Sequence, residues 1–324
     1  KRQLTNPCPS LPAGRQACFK VGLCLSTAWN AFRYDNGKGI VQEIRKLGFE
    51  ELELSFNLTK KIVEDIFRLV KKNQIRVHSV HNFCPIPDGL QRIEALPDRF
   101  ALSSCDEQTR ALAVKWTKVT IDTAAKLSAK AVVLHCGRVE IDGHTRELIS
   151  LYKNGKMQEP YFQHLKSRMQ EERIGKSKVH FESALRSLEE LQQFAKSLNI
   201  LLGIENRFYF REIPSFEEIG NILGRFKGAP IFYWHDTGHA QLWENLGFIK
   251  HKDYLDAYAK ELIGAHLHDI KGAQDHLAPL KGDFDFRLLK PYLRSDTIKT
   301  LEAHHPATAE ELMDAKDFLE KLYA

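Results

Sequence analysis

An α/β fold, the (β/α)8 TIM barrel with extended loops after its third and fourth strands, is what the sequence predicts. Eight short β-rich runs recur along the chain, and each is followed by a longer segment whose apolar residues have helical spacing. Capping-box pairs open several of those segments in the register the alternation requires. The 324 residues, 43% of them hydrophobic, can fill one large barrel core, whereas disordered and collagenous chains are poorer in apolar residues.

The strand runs, in order, are Lys20 to Ser26, Phe49 to Phe56, Ile75 to Phe83 and Ala131 to Gly137. Ile200 to Arg207, Ile231 to Gly238, Ile263 to Ile270 and Thr297 to His304 complete the eight. Ser104 with Glu107, Ser215 with Glu218 and Thr308 with Glu311 fit S/T-x-x-E. They precede helical segments at about 110–127, 216–226 and 312–322. Two stretches exceed what a plain barrel needs, Cys84 to Cys105 and Arg138 to Lys178. The second carries Lys153, Lys156, Lys166, Arg168, Arg173, Lys176 and Lys178, and reads either as a lid or phosphate-attracting rim or as a solvated charged helix. With no repeat or linker, residues 20–324 form a single expected domain and 1–19 a tail.

Forty-seven Lys and Arg against 42 Asp and Glu leave +5, which permits a phosphorylated or nucleic-acid ligand without demanding one. No apolar run reaches the roughly 18 residues of a membrane helix. The six cysteines lack CxxC spacing and read as reduced thiols, and the first 19 residues lack the apolar core of a secretory signal. A cytoplasmic location is expected. The chain opens on Lys1, which reads as a fragment or a processed form.

In a parallel barrel the site forms at the carboxyl ends of the strands. Ten of the 14 histidines lie in or just beyond the expected strands: His78, His81, His135, His235, His239, His266, His268, His276, His304 and His305. Glu205, Asp236, Asp269 and Glu302 are interspersed. So many imidazoles and carboxylates converging on one mouth would repel or stay unsatisfied unless they shared cations, so a metal centre is expected. Strand alternation places Glu302 with His304, and His266 with His268, on common faces, but spacing does not say which of each pair binds. Asp236 and His239 in HDTGH can turn inward together around Gly238.

GIENR with Glu205, WHDTGHA with Asp236 and His239, HLHD with His266, the DHLAPLKGDFDF segment and LEAHH with Glu302 together resemble the xylose isomerase-like barrel superfamily. That superfamily includes sugar isomerases and epimerases as well as endonuclease IV-type apurinic endonucleases, the AP endonuclease family 2, and the likeness runs from about Lys20 to Ala324. The resemblance to the ketose 3-epimerase branch implies four ligands, Glu205, Asp236, His266 and Glu302, for one Mn, Co or Mg ion. Glu205 and Glu302 would then be the acid/base pair, because a metal that polarises a carbonyl acidifies the adjacent C–H and a carboxylate must take and return the proton. His239 and Arg207 would donate to substrate oxygens.

Resemblance to the endonuclease branch adds His81, His135, His239 and His276 for a multinuclear Zn or Fe centre. The sequence departs from that branch where Asp275 and His276 are adjacent instead of Asp-x-His, and where Lys281 replaces the usual Gly or carboxylate. The first implied activity is a metal-dependent sugar or sugar-phosphate isomerase or epimerase. The alternative is a multinuclear hydrolase of phosphodiester or glycosidic bonds, for which the spread-out positive charge makes a nucleic-acid partner the less favoured one. A barrel that binds without turnover is disfavoured by the intact ligand positions. A small-molecule partner, no membrane and a homo-oligomer are implied. Trp29, Phe83, Tyr209 and Phe210 stand at expected mouths, where they would stack on a sugar or pack. Cys136 beside His135 should point away from the mouth as an inert thiol. Neither NGKG nor its surroundings have P-loop spacing.

Overall fold

The computed structural model describes residues 21–324. The expected tail lies outside them. Eight parallel strands close into a barrel: β1 (Leu23–Ser26), β2 (Glu51–Leu54), β3 (Arg76–His81), β4 (Ala131–Leu134), β5 (Leu201–Glu205), β6 (Ile231–Asp236), β7 (Leu262–Leu267) and β10 (Ile298–Leu301). Seven fall within the sequence-derived runs, and β7 begins one residue ahead of its run, at Leu262. Sequential strands pair with one another, and β1 pairs with β10 to complete the ring. The sequence did not indicate the small antiparallel hairpin of β8 (Asp269–Lys271) and β9 (Gln274–Leu277), which follows β7 at the mouth.

The surrounding helices are α1 (Gly37–Lys46), α2 (Lys60–Lys71), α3 (Glu107–Lys126), α4 (Thr145–Lys153), α5 (Pro160–Ser197), α6 (Phe216–Arg225), α7 (Thr237–Asn245), α8 (His251–Tyr258) and α9 (Ala309–Leu322). The boxes Ser215–Glu218 and Thr308–Glu311 cap α6 and α9 as expected. Ser104 does not cap α3. Asp106 does, accepting from Thr109 N at 2.8 Å, while Ser104 Oγ accepts from Asp106 N at 3.1 Å and sets the turn before it. The 138–178 stretch comprises α4 and the first half of α5, a 38-residue helix, and its buried Leu148, Phe162, Leu165 and Met169 pack with Leu242, Trp243 and Ile270. Among the described residues, no helix is long and apolar enough to cross a membrane.

Alternate strand residues face the barrel interior and stack in layers. Trp234 of β6 is fully buried and fills the layer beneath the mouth. It fits because its neighbours across the strands are Gly203 and Gly264: a Cβ on Gly264 would stand 2.2 Å from Trp234 Cζ3, and one on Gly203 2.8 Å from Cε3. Gly264→Ala therefore overpacks this layer and is expected to cost about 1–3 kcal/mol. Chemical denaturation checks this, and a variant as stable as the parent would contradict it. Two residues further along, the next interior layer is polar. It contains Glu53, His81, His135, Glu205, Asp236, His266 and Glu302, all buried.

Candidate metal centre

One layer of the barrel thus brings seven strand-end side chains to the mouth. Glu205, Asp236, His266 and Glu302 offer ligand atoms that all lie within 4.8 Å of one another. His266 Nδ1 is 2.7 Å from Glu205 Oε1, 3.0 Å from Glu302 Oε2 and 3.7 Å from Asp236 Oδ2. A second set is His81, His135 and Glu205, and a third is His239, Asp275 and His276. Every ligand position expected from the sequence is brought into one of these three sets.

Two of the imidazoles, His81 and His239, have the tautomer that metal binding needs. A liganding histidine normally donates its other ring N–H to a carbonyl or carboxylate. Carbonyl oxygens only accept, so His81 Nδ1–H donates to Asn82 O (3.0 Å) and His239 Nδ1–H to Asn206 O (2.9 Å), leaving both Nε2 lone pairs free. His135 Nδ1–H donates to Asp98 Oδ2 at 3.2 Å, and its Nε2 faces Glu205 Oε2 at 2.7 Å. His266 Nε2–H donates to Glu53 Oε1 at 2.9 Å, and Ser79 Oγ donates to the other Glu53 oxygen at 2.7 Å. The donor chemistry therefore fits divalent cations: three carboxylates and one nitrogen in the central set, and nitrogen-rich sets on either side.

Asp275 and His276 act together despite being adjacent. His276 has a left-handed φ of 55°, which breaks strand alternation at that residue, and its Nδ1 lies 2.9 Å from Asp275 Oδ2. Its ring stacks on His268 at 4.1 Å. The departure from Asp-x-His is thus absorbed by the β8–β9 hairpin. Asp236 and His239 converge by a different route from the one expected. Gly238 is not a flexible point: Asp236 caps α7, accepting from His239 N at 2.8 Å, and His239 lies on the first helical turn.

Three further expectations need correction. His239 uses its only N–H on Asn206 O, so Nε2 presents a lone pair and suits a ligand better than a donor to substrate. Arg207 is buried in ion pairs with Glu205, Glu212 (3.4 Å) and Asp98 (3.8 Å), which leaves Nε as its atom without a protein partner. Trp29 is 2% exposed, donates Nε1–H to Ala307 O at 2.7 Å and lies under the Arg33 guanidinium, so packing accounts for it. Phe83 is buried as well, whereas half-buried Phe56 and Phe208 stand edge-on to His81 and His239. His78 and His235 do not join the sets. His78 pairs with Glu51 deeper in the barrel, and His235 faces outward to Tyr233 and His251. Cys136 is buried, and burial pushes its thiol up to about 12.

Glu53 and Asp98 are the site residues that sequence reading missed. Glu53 in ELEL looks like the polar half of an ordinary strand, and Asp98 comes from the loop after β3. A cleft of about 730 Å³ lined by Tyr152, Gln241, Lys250 and Arg287 shares no residue with the three donor sets. Chemistry, not cleft size, locates this centre.

Electrostatics link the sets to protons. Burial opposes charge on His266, but Glu302 and Glu53 outweigh it and hold the imidazole well above its ordinary value. Burial likewise opposes charge on His276, and Asp275 outweighs it to give about 9. Burial pushes His81 down to about 4. At pH 7, then, His266 and His276 carry protons that a cation must displace. Zn2+ affinity is expected to rise with pH up to about 9. Calorimetry in buffers of different ionisation enthalpy should show net proton release at pH 7, and a buffer-independent heat would refute it.

The sequence profile of the Xylose isomerase-like TIM barrel family matches residues 41–322. No curated protein matches the chain. Among solved structures, a D-tagatose 3-epimerase-like protein is 17% identical with a TM-score of 0.65, covering 93% of this chain and 97% of that one. The 3-keto-D-glucoside 4-epimerase from E. coli is 14% identical with a TM-score of 0.64, covering 93% and 100%. D-allulose 3-epimerase from Methylomonas sp. is 14% identical with a TM-score of 0.64, covering 94% and 98%. At these identities the likeness is one of fold, while the profile match spans most of the chain: the protein belongs to the Xylose isomerase-like TIM barrel family.

Proposed function

We propose that this protein is a divalent-metal-dependent isomerase or epimerase of a sugar or sugar phosphate. The observation that carries the reading is the pair Glu205 and Glu302. Their carboxylates reach the same nitrogen of His266 from β5 and β10, with β6 and β7 between those strands. Both are anionic: burial disfavours the charge, but His135 and Arg207 hold Glu205 well below the usual carboxylate range and His266 does the same for Glu302. Glu205, Asp236, His266 and Glu302 would hold a divalent ion, Mn, Co or Mg by their oxygen-rich donors, and when bound it would supply Lewis-acid polarisation of a carbonyl that acidifies the neighbouring C–H. Glu205 and Glu302 then serve as a base to take that proton and an acid to return one. Phe56 and Phe208 offer apolar edges to the carbon face of a sugar. The structural neighbours, epimerases among them, agree with this class.

One observation favours a second reading, a multinuclear Zn or Fe hydrolase of phosphodiester or glycosidic bonds. The two flanking sets, His81–His135–Glu205 and His239–Asp275–His276, exceed what a one-ion proton transfer uses. The experiment is deuterium wash-in from D2O at the carbon next to the carbonyl, across a panel of ketoses and their phosphates, beside hydrolysis of bis(p-nitrophenyl) phosphate. Wash-in with one ion per chain supports the isomerase. Hydrolysis without wash-in, with two or three ions per chain, replaces it with the hydrolase. We assign the reaction to the cytoplasm, in keeping with the unpaired Cys24, Cys84, Cys105 and Cys136.

A further inference from the structure

His268 is fully buried beside the central set, and its ring could be taken for another ligand with Asp236, His276 and Glu302. Its hydrogen bonds say otherwise. The backbone N–H of His276 points at His268 Nδ1 from 2.9 Å, and an N–H can only donate, so Nδ1 is an acceptor. The Asp269 carbonyl, 3.4 Å from the same nitrogen, is too distant to compete. Nε2 lies 3.0 Å from both oxygens of Asp236, a spacing that a second lone pair would make repulsive and that Nε2–H satisfies. Only the Nε2–H tautomer meets both contacts. Each nitrogen is then committed, and neither has a lone pair left for a cation.

The backbone of His268 is held as well. Thr237 Oγ1 donates to His268 O at 2.7 Å and accepts from His268 N at 3.1 Å. On the helix side, a Cβ on Gly238 would stand 2.2 Å from His268 Cε1, so the glycine of HDTGH is what admits the imidazole. The other face stacks on His276 at 4.1 Å and 7°. His268 thus touches one ligand of the central set through its Nε2–H, and one ligand of the third set through Nδ1 and the stack.

We propose that His268 is a positioning residue that couples the central and third donor sets: it aims the Asp236 carboxylate and fixes the backbone and ring of His276, without binding an ion itself. The proposal rests on the metal-centre reading. Removing the N–H donor to a liganding carboxylate lowers metal affinity by about 10–100-fold in comparable sites. Because His268 holds a ligand in each set, the loss falls on both.

The test is Zn2+ and Co2+ binding to the full chain, by chelator competition and Co2+ absorption, for wild type, His268→Leu, His268→Gln and Gly238→Ala. Glutamine places an amide N–H near the Nε2 position, whereas leucine has none. Expected are a loss of affinity of about 10–100-fold for each ion that the central and third sets bind in His268→Leu, and substantial recovery in His268→Gln. Gly238→Ala presses a methyl against the same ring and is expected to reproduce the leucine result with His268 intact, which keeps the test decisive if His268→Leu does not fold. Unchanged affinity in the leucine and alanine variants overturns the proposal. So does loss of a single ion with the others unaffected and a changed Co2+ spectrum, the signature of a direct ligand. A wild-type protein that binds neither metal instead overturns the metal-centre reading itself.

Discussion

Glutamine in place of Glu302 is expected to lower turnover by about 10²–10⁴-fold, the span lost when a positioned proton-transfer group is removed. The amide has nearly the volume of the carboxylate, and Glu302 stays anchored by its backbone, whose N–H donates to Leu267 O at 3.2 Å. Packing around this 6% exposed side chain should therefore persist. What changes is charge. Glu302 Oε2 lies 3.0 Å from His266 Nδ1 and 3.9 Å from His276 Nε2, so the amide weakens the hold on both imidazolium protons and contributes a poorer ligand to the central set. Turnover on the substrate found by deuterium wash-in, metal affinity by chelator competition and the thermal midpoint should together show lost catalysis and weaker binding at nearly unchanged stability. A fully active, metal-replete variant would remove Glu302 from the mechanism. Glu205→Gln should be at least as damaging, since Glu205 serves two donor sets and compensates buried Arg207.

Strand periodicity puts Glu205, Asp236, His266 and Glu302 among the residues at the barrel mouth, because a carboxylate or imidazole at the last interior position of a strand has nowhere else to point. Spacing did not choose them from their neighbours; the resemblance to the ketose 3-epimerase branch made the four legible as one ligand set. Their supporting acceptors were not. Glu53 faces the same interior, but its partner His266 belongs to a strand about two hundred residues away in sequence, and only barrel closure joins them. Asp98 reaches His135 from an irregular loop that has no periodicity to read. The β8–β9 hairpin was hidden because its short strands, DIK and QDHL, have no sustained alternation of apolar residues. The tautomer of His268, which sets it apart from the candidate ligand His266, depends on the backbone N–H of His276, which sequence does not place.

The clearest case is Arg173, which in sequence is one of nine Lys and Arg in the 138–178 stretch. In the structure it is buried within α5, where Nη1 and Nη2 grip Glu218 at 2.9 and 2.7 Å, while Nε and Nη2 donate to the Phe210 and Glu212 carbonyls, each at 3.0 Å. Glu218 in turn accepts from Ser215 N at 2.8 Å. One guanidinium therefore ties the long helix to α6 and to the loop after β5 that carries Arg207 and Glu212. Arg173→Met would leave Glu218 buried without its counter-charge, and a broken buried pair of this kind costs about 3–5 kcal/mol. The double variant Arg173→Met, Glu218→Leu should regain much of that loss, because it removes the stranded charge along with its partner. Denaturant unfolding of the two single variants and the double one measures the coupling directly. If Arg173→Met unfolds within about 1 kcal/mol of the parent, the pair is not holding the helix to the site, and Arg173 returns to the solvated face that its neighbours in sequence occupy.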